Sequence, residues 1–543
     1  MVKRLTFYGR GVSRSSQQFL VDLGTLDKYK KAKLQPVTIK RLRMIKPKIP
    51  YLQYEILEYY YLKPDSSLSD YVGYPKGSKI VEGAIKSLVK KRMINDRFDL
   101  TEYGLYFVKE KIEQGYNFPD YSKVVFDADG LGFSQISGSQ YNHTKPVFRW
   151  YSYLEDFPSG FIEDYIKKYK INDKNYVLDP FIGSGTTVVQ AKLLGYKSIG
   201  IDINPLMTFV SRIKTNWSID VSMLSRIVDK LVNEFKELST EQKKMAFNTN
   251  TLKNMPRREL NQWLSPVKQF EVSAMLNLIK NLNCSEEIRN ILVFITSTSA
   301  VNVSYVAFCP GTTFYPFREK PDFLTEFVNL AGKVITDLQN NEVQKSKNTE
   351  SIIIEGSSKD AEVFSKYKNK VDIIITSPPY PNDLEYTRQT RLELYLNGYV
   401  KDMSDVQSIK KKMVKGSTKL IFKEDITPER VANLPNVKEI TSQVAFKLKD
   451  KNWGFDYPKM INQYFADMWV AMEIYYNTLV KGGACILVVG DQTSKGVVIP
   501  VAEILAEIAK KIGFSETRIE LHRNRRSSAH DIQIPEENLI LIK

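Results

Sequence analysis

Apolar residues along this chain of 543 residues fall into two alternating rhythms. Short apolar runs occur at Tyr176–Asp179, Ser198–Asp202, Ser351–Glu355, Val371–Ile375 and Ala484–Val489. Nearly unbroken apolar runs of this length predict strands covered on both faces, as in a parallel sheet. Between them the spacing turns helical. Phe161, Ile162, Tyr165 and Ile166 share one side of a segment that starts after Pro158, and Thr187–Leu194, Met460–Leu479 and Pro500–Ile512 follow the same period. Strands around Arg518–His522 and Asn538–Ile542 complete the set, with Gly490-Asp491-Gln492 read as a turn. Alternating strands and helices predict an α/β fold with a doubly wound sheet.

Two stretches interrupt this alternation. Residues 216–345 separate the second and third strands and read as a helical insertion (Val221–Leu238, Val267–Leu282, Glu287–Thr298, Phe323–Leu338) with an aromatic, irregular stretch at Tyr305–Phe317. Residues 400–450 are Lys-rich and weakly periodic. The expected organisation is a basic arm over 1–50, a small domain over 51–120, a first core segment over 141–215, the insertion 216–345, and a second core segment over 346–543 that carries the 400–450 insertion.

Residues 51–115 have the rhythm of a winged-helix unit. Tyr51–Tyr61 is apolar-periodic and closed by Pro64, and Ile80–Ile94 carries lysines 86, 90 and 91 away from its apolar positions. Asn95-Asp96-Arg97 could turn a small wing into Phe98–Leu100. A short helix, a turn and a cationic second helix suit major-groove docking. Many such folds mediate protein contacts instead.

Charge sharpens the reading. The chain carries a net +16, and residues 1–50 hold thirteen Lys/Arg against only Asp22 and Asp27. Such an excess favours an anionic partner, nucleic acid before membrane, because no apolar run approaches ~18 residues. The arm either contacts phosphates or is merely solvated. An early Lys-Arg pair lacks a following apolar stretch, so no signal peptide is expected, and the location expected is cytoplasmic. Cys284, Cys309 and Cys485 are scattered and the chain has three histidines, so neither a disulfide framework nor a metal site is expected.

Two loops carry the chemistry. Asp179-Pro180-Phe181-Ile182-Gly183-Ser184-Gly185-Thr186-Thr187 joins a strand to a helix, and Asp202 ends the next strand 19 residues beyond Gly183. Glycines let a ligand approach the backbone, and the distal acid can accept both hydroxyls of a ribose. A phosphate loop would need Lys before the Ser/Thr, so ATP is not expected. The other loop is Thr376-Ser377-Pro378-Pro379-Tyr380, a rigid ledge at a buried strand end. In a doubly wound sheet, the first and fourth strands adjoin where strand order reverses, so the two loops should face each other across one crevice. A polyproline ligand would need exposure, which four preceding β-branched positions argue against.

Together these motifs, with Gly200-Ile201-Asp202-Ile203-Asn204-Pro205, resemble those of the DNA amino-methyltransferases. The resemblance covers roughly 145–215 and 350–543. It implies a Rossmann-like, S-adenosyl-L-methionine-dependent methyltransferase fold acting on double-stranded DNA by base flipping. It assigns catalysis to Ser377, Pro378, Pro379 and Tyr380. It assigns cofactor binding to Phe157 (in the Asp156-Phe157-Pro158 corner), Asp179, Pro180, Phe181, Gly183, Ser184, Gly185, Thr186, Thr187, Asp202 and Asn204, and adenine recognition to Asp360. Asp383 and Tyr386 are base-pocket candidates, and the two insertions are candidates for target recognition.

The Ser-Pro-Pro-Tyr spelling looks most like the N4-cytosine branch. Adenine enzymes usually show Asp or Asn at Ser377, so adenine-N6 methylation is the alternative. The motif order is the reverse of the best-known N4-cytosine enzymes. C5-cytosine methylation would need a Pro-Cys nucleophile, and Cys309 precedes Pro310 instead. The family implies a restriction–modification setting with a cognate endonuclease as partner. RNA methylation and a non-enzymatic DNA-binding regulator remain as rivals.

Overall fold

The computed structural model describes residues 79–90 and isolated neighbours (57, 93, 94, 101), then residue 142, 144–526 and 533–543 apart from short gaps at 154–156, 170, 173, 309–311, 316–319, 453 and 455. The chain divides into two units, Met1–Phe118 with Asp531–Gln533, and Pro119–His530 with Ile534–Lys543. In the first unit, helix α1 (Lys79–Lys90) buries Ile85 and Leu88, and Met93 and Ile94 are also buried. Thr101 folds back on this end, its N–H and hydroxyl both donating to the Met93 carbonyl. The arm 1–50, the wing at Phe98–Leu100 and most of the winged-helix expectation lie outside the described residues.

The second unit is built on a seven-stranded sheet. In chain order its strands are β1 (Tyr176–Asp179), β2 (Ser198–Asp202), β3 (Ser351–Glu355), β4 (Val371–Thr376), β5 (Leu479–Gly490), β6 (Glu516–Arg526) and β7 (Gln533–Ile542). Their order in space is β6-β7-β5-β4-β1-β2-β3. The pairs β1–β2, β1–β4, β2–β3 and β4–β5 are parallel, and β7 pairs antiparallel with β5. Strand order therefore reverses between β1 and β4, where both carboxyl ends open on the same edge. This is a mostly parallel α/β sheet of the kind a methyltransferase core uses.

Strand alternation sends neighbouring residues to opposite faces. Val177, Ile373 and Ile375 pack with Phe161, Ile162, Tyr165 and Ile166 of helix α2 (Ser159–Lys168). Leu178 and Ile374 face the other way, against Phe465 and Met472 of helix α9 (Asp456–Thr478) and Leu505 of helix α10 (Val501–Ile512). Both faces are covered, which explains why these strands lack a polar alternation. At the β5 exit the expected turn at Gly490–Gln492 is not what forms: Gly490 ends β5, Gln492 opens a short hairpin (Gln492–Ser494 with Val497–Ile499), and α10 follows it, its Val501 N–H donating to Asp491.

The insertion has its own core. Helix α3 (Thr186–Leu193) follows β1 and α4 (Pro205–Thr215) follows β2; then α5 (Val221–Glu237), α6 (Pro266–Lys280), α7 (Glu286–Asn302) and α8 (Phe323–Leu338) bury Leu231, Met275, Ile295 and Phe327 together with Trp263 of the short helix Arg257–Trp263. Buried Asp337 of α8 accepts from the Val147 N–H at 2.9 Å and the Trp150 Nε1 at 2.8 Å, and Arg149 pairs with it. This fastens the segment leading to Tyr153 onto the insertion. Two expectations need correction. The stretch read as irregular contains a small hairpin, Val306–Phe308 with Thr312–Phe314, and residues 400–450 contain regular helices at Met403–Lys412 and Pro435–Leu448. Lysine spacing hid their apolar anchors Val406, Val437 and Val444, which are buried.

Candidate active site

The ends of β1 and β4 are tied by side chains. The Thr376 hydroxyl donates to Asp179 Oδ1 at 2.6 Å, and the same carboxylate oxygen accepts the Phe181 N–H at 3.0 Å. The Thr187 hydroxyl donates to the Ile375 carbonyl at 3.3 Å, joining the start of α3 to β4. These bonds hold the glycine loop and the ledge in one frame.

Inside the glycine loop, Gly183 and Gly185 adopt φ of +50° and +88°, a region glycine enters without steric cost. Side-chain atoms at these positions would meet Tyr153 and Ser211: a Cβ on Gly185 would lie 2.9 Å from Ser211 Oγ. The Gly183 N–H donates to Asp202 Oδ2 (3.1 Å) and the Asn204 N–H to Asp202 Oδ1 (2.8 Å). Burial pushes the Asp202 carboxyl up to about 6, against the pull of those backbone donors. Asn204 caps α4 and donates from Nδ2 to Thr390 Oγ1 at 3.0 Å.

On the ledge, Ser377 Oγ lies 3.2 Å from the Tyr380 hydroxyl. That hydroxyl donates to Glu536 Oε1 (3.0 Å) and approaches the Val488 carbonyl (3.3 Å), so Tyr380 is anchored to β5 and β7. Glu536 is in turn held by Arg523. Behind the ledge, a Cβ on Gly416 would sit 2.5 Å from the Tyr380 carbonyl, so only glycine allows that close approach. Asp383, at φ +64°, accepts from Ser417, Thr418 and Tyr457. Burial alone would raise its carboxyl, but these hydrogen bonds hold it below the usual range.

Both loops border one cleft of about 890 Å3. Of the residues singled out in the sequence, Phe157, Asp179, Pro180, Phe181, Gly183, Ser184, Thr186, Asp202, Asn204, Ser377, Pro378, Pro379, Tyr380 and Tyr386 line it. Gly185 and Thr187 stand behind it as supports for the turn. Asp360 is not on its wall: its carboxylate caps the helix Ala361–Phe364 by accepting the Glu362 N–H, and Ser357 and Ser358 of the same loop face the cleft. Asp383 pins the loop beyond the ledge rather than lining the cleft.

Sequence reasoning missed Tyr153, Met207 and the stretch Lys412-Met413-Val414. The last comes from the 400–450 insertion, whose helix is drawn in by a buried ion cluster. Glu385 pairs with Arg391 at 3.0 Å and Lys410 at 2.8 Å, and accepts from the Thr387 hydroxyl. Lys359 and the Lys415 N–H both reach Asp467. The cleft fits S-adenosyl-L-methionine: it offers a glycine-walled turn, a carboxylate at the β2 end poised for ribose hydroxyls, and apolar side chains from both halves. Among the described residues, no group of His, Cys, Asp and Glu could hold a metal ion, and no helix is long and apolar enough to cross a membrane.

Comparison with known proteins points the same way. A DNA methylase family model matches residues 43–208, and the D12 class of N6 adenine-specific DNA methyltransferases matches residues 159–453, more than half the chain. The chain is 25% identical over 433 residues to the Type II methyltransferase M.BsoBI of Geobacillus stearothermophilus, covering 72% of this chain and 83% of the relative. It is 24% identical over 444 residues to the Type II methyltransferase M.MjaII of Methanocaldococcus jannaschii (64% and 81% covered). It is likewise 24% identical over 351 residues to the Type II methyltransferase M.MvaI of Kocuria varians (61% and 74% covered). With the crevice at the strand reversal and the motifs around it, these matches make the chain a member of the S-adenosyl-L-methionine-dependent DNA amino-methyltransferase family.

Proposed function

We propose that this DNA methyltransferase modifies the exocyclic N4 amine of cytosine in duplex DNA, as the modification partner of a restriction endonuclease. The observation that carries the reading is the meeting of Ser377–Tyr380 with Gly183 and Asp202 in one cleft. The cofactor supplies a methyl group on a sulfonium. Asp202 would hold its ribose, Ser357 and Ser358 would border its adenine, and Phe157 would pack its methionine end.

An exocyclic amine is a poor nucleophile, because its lone pair is delocalised into the ring. Ser377 and the Pro378 carbonyl would accept its N–H bonds and free that pair, on a backbone the two prolines hold still. The network behind the ledge favours this direction. The single Tyr380 proton is taken by Glu536 or Val488, so the Tyr380 oxygen can accept the Ser377 proton. Ser377 then turns a lone pair towards the cleft. Extruding the base costs a few kcal/mol, and a Tyr380 stacking surface would return roughly 1–3 kcal/mol.

Adenine-N6 methylation is the second reading, and the match to the D12 class favours it; the Ser at 377 favours cytosine. Digesting methylated DNA to nucleosides and weighing them decides: N4-methylcytosine is expected, and N6-methyladenine would replace the first reading. The Type II relatives support the restriction–modification setting. The Lys/Arg-rich residues 1–50 and the first unit would add phosphate contacts and hold the protein on the nucleoid.

A further inference from the structure

Glu536 reaches the ledge because β7 runs against its neighbour. The strand pairs antiparallel with β5, so Glu536, near its start, lies opposite Gly490 at the carboxyl edge of the sheet. The parallel pair β4–β5 sets Thr376 beside Leu487, which brings the ledge that follows to the same edge. There the side chains form a row: Ser377 Oγ, then the Tyr380 hydroxyl at 3.2 Å, then Glu536 Oε1 a further 3.0 Å on. Ser377 lines the cleft, whereas Tyr380 and Glu536 are each 4% exposed. The row therefore runs from the cleft into the protein and ends on a carboxylate paired with Arg523, whose side chain is 37% exposed.

Methylating an exocyclic amine leaves a proton to dispose of. The nitrogen spends its lone pair on the new bond and would be left as an aminium, an acid far stronger than a carboxylic acid. Neither the Ser377 hydroxyl nor the Pro378 carbonyl can keep that proton near neutral pH. Both links of the row fall within the ~2.6–3.2 Å over which protons pass between hydrogen-bonded atoms. The Val488 carbonyl, 3.3 Å from the Tyr380 hydroxyl, is no base either, so the carboxylate is where the row ends. Burial pushes nearby His522 down to about 4, so it stays neutral, and Arg523 is the charge that pairs with Glu536.

We propose that the target amine loses its proton to Glu536, through Ser377 and Tyr380, as the methyl group arrives. The amine lone pair forms the N–CH3 bond while the sulfur–CH3 bond breaks and leaves its electron pair on sulfur. The amine proton passes to Ser377 Oγ, the Ser377 proton to the Tyr380 oxygen, and the Tyr380 proton to Glu536 Oε1. Each hydroxyl ends with one proton, as it began, and rotates back. Glu536 ends as the acid and releases its proton to water on the Arg523 side. This rests on the reading that the amine meets Ser377, and it holds for cytosine and adenine alike.

The test is single-turnover methylation of long duplex DNA by the full-length protein, at saturating cofactor, in light and heavy water. Wild type should be about two- to four-fold slower in heavy water, with a curved dependence on deuterium fraction because more than one proton moves. Glu536→Gln still accepts the Tyr380 hydroxyl but cannot hold its proton, and Tyr380→Phe breaks the row. In each variant the isotope effect should fall below about 1.5-fold, while cofactor affinity by calorimetry stays within about two-fold of wild type. A role confined to fastening β7 or aiming the Ser377 hydroxyl would lower the rate and leave the isotope effect intact. Should Glu536→Gln fail to fold, Tyr380→Phe, which removes a single oxygen, carries the test. A wild-type effect below about 1.5-fold, or a Tyr380→Phe enzyme that keeps the full effect, would overturn the relay. The product separates this from the reading beneath it: a methylated exocyclic amine made without the isotope effect removes the relay alone, and a methylated ring carbon removes both.

Discussion

The Thr376 hydroxyl and the Asp179 carboxylate meet at 2.6 Å, although 197 positions separate them in the chain. Each ends a central strand, and both side chains are buried. The bond fixes the ledge relative to the glycine loop at the point where the sheet reverses. Thr376→Val keeps the shape and removes the donor, leaving a buried carboxylate short of one hydrogen bond. A loss of ~1–3 kcal/mol is expected, measured as a lower unfolding midpoint in urea, with Thr376→Ser close to wild type.

Gly185 stands behind the cleft wall, yet its replacement should disturb the site. Its φ of +88° disfavours any L side chain, and a Cβ would press on Ser211 Oγ, which donates to the Gly183 carbonyl. Gly185→Ala should cost ~1–3 kcal/mol in strain and displace the turn that Gly183 shares with Asp202. The checks are a lower melting temperature and cofactor binding weakened at least ten-fold by calorimetry. An Ala variant that binds the cofactor normally would show that the turn can adapt.

Asp202 should make cofactor binding pH-dependent. Its folded carboxyl titrates at about 6, above the ordinary value of ~3.9 for an exposed Asp. A ribose hydroxyl is accepted best by the ionised form, so affinity should fall as pH drops through about 6. Stability of the cofactor-free protein has the opposite sign. The Asp202 contribution is present in full below the unfolded value and is lost as pH rises through the folded one. Asp202→Asn should flatten the affinity dependence between pH 5 and about 7 and the stability dependence between about pH 4 and 6, and weaken the cofactor at neutral pH. Calorimetric titration across the first range measures the one and thermal melting across the second measures the other.

Much of this was legible in the chain because local chemistry decided it. The apolar runs at 176–179, 198–202 and 351–355 became strands with those bounds, and Gly183 and Asp202 came together as strand–turn–helix spacing requires. Long-range folding decided the rest. Lys412–Val414 reach the cleft through ion pairs of Glu385 and Asp467 with partners up to 108 residues away, which no periodicity encodes. In the loop after β3, an Asp that could read adenine is spent on capping a short helix, and the less conspicuous Ser357 and Ser358 face the cleft. The 306–314 hairpin stayed hidden because strands of three residues carry almost no pattern.

Tyr380 joins two roles that substitution can separate. Its ring lines the cleft, and its hydroxyl is bound to Glu536 and beside Ser377. Tyr380→Ala removes both, and the stacking surface alone is worth roughly 1–3 kcal/mol, so turnover should fall by about ten- to several-hundred-fold with cofactor affinity unchanged. Tyr380→Phe keeps the ring and frees Ser377 to rotate its proton towards the substrate amine. Glu536→Gln keeps the shape but weakens the pull on the Tyr380 proton. Both should lower kcat by about three- to thirty-fold with little change in KM for DNA, because an acceptor that sometimes points its proton at the amine hinders only the chemical step. Single-turnover rates on long duplex DNA measure this directly. A Tyr380→Phe enzyme as fast as wild type would show that Ser377 needs no help in choosing its direction, and that Glu536 serves only to fasten β7.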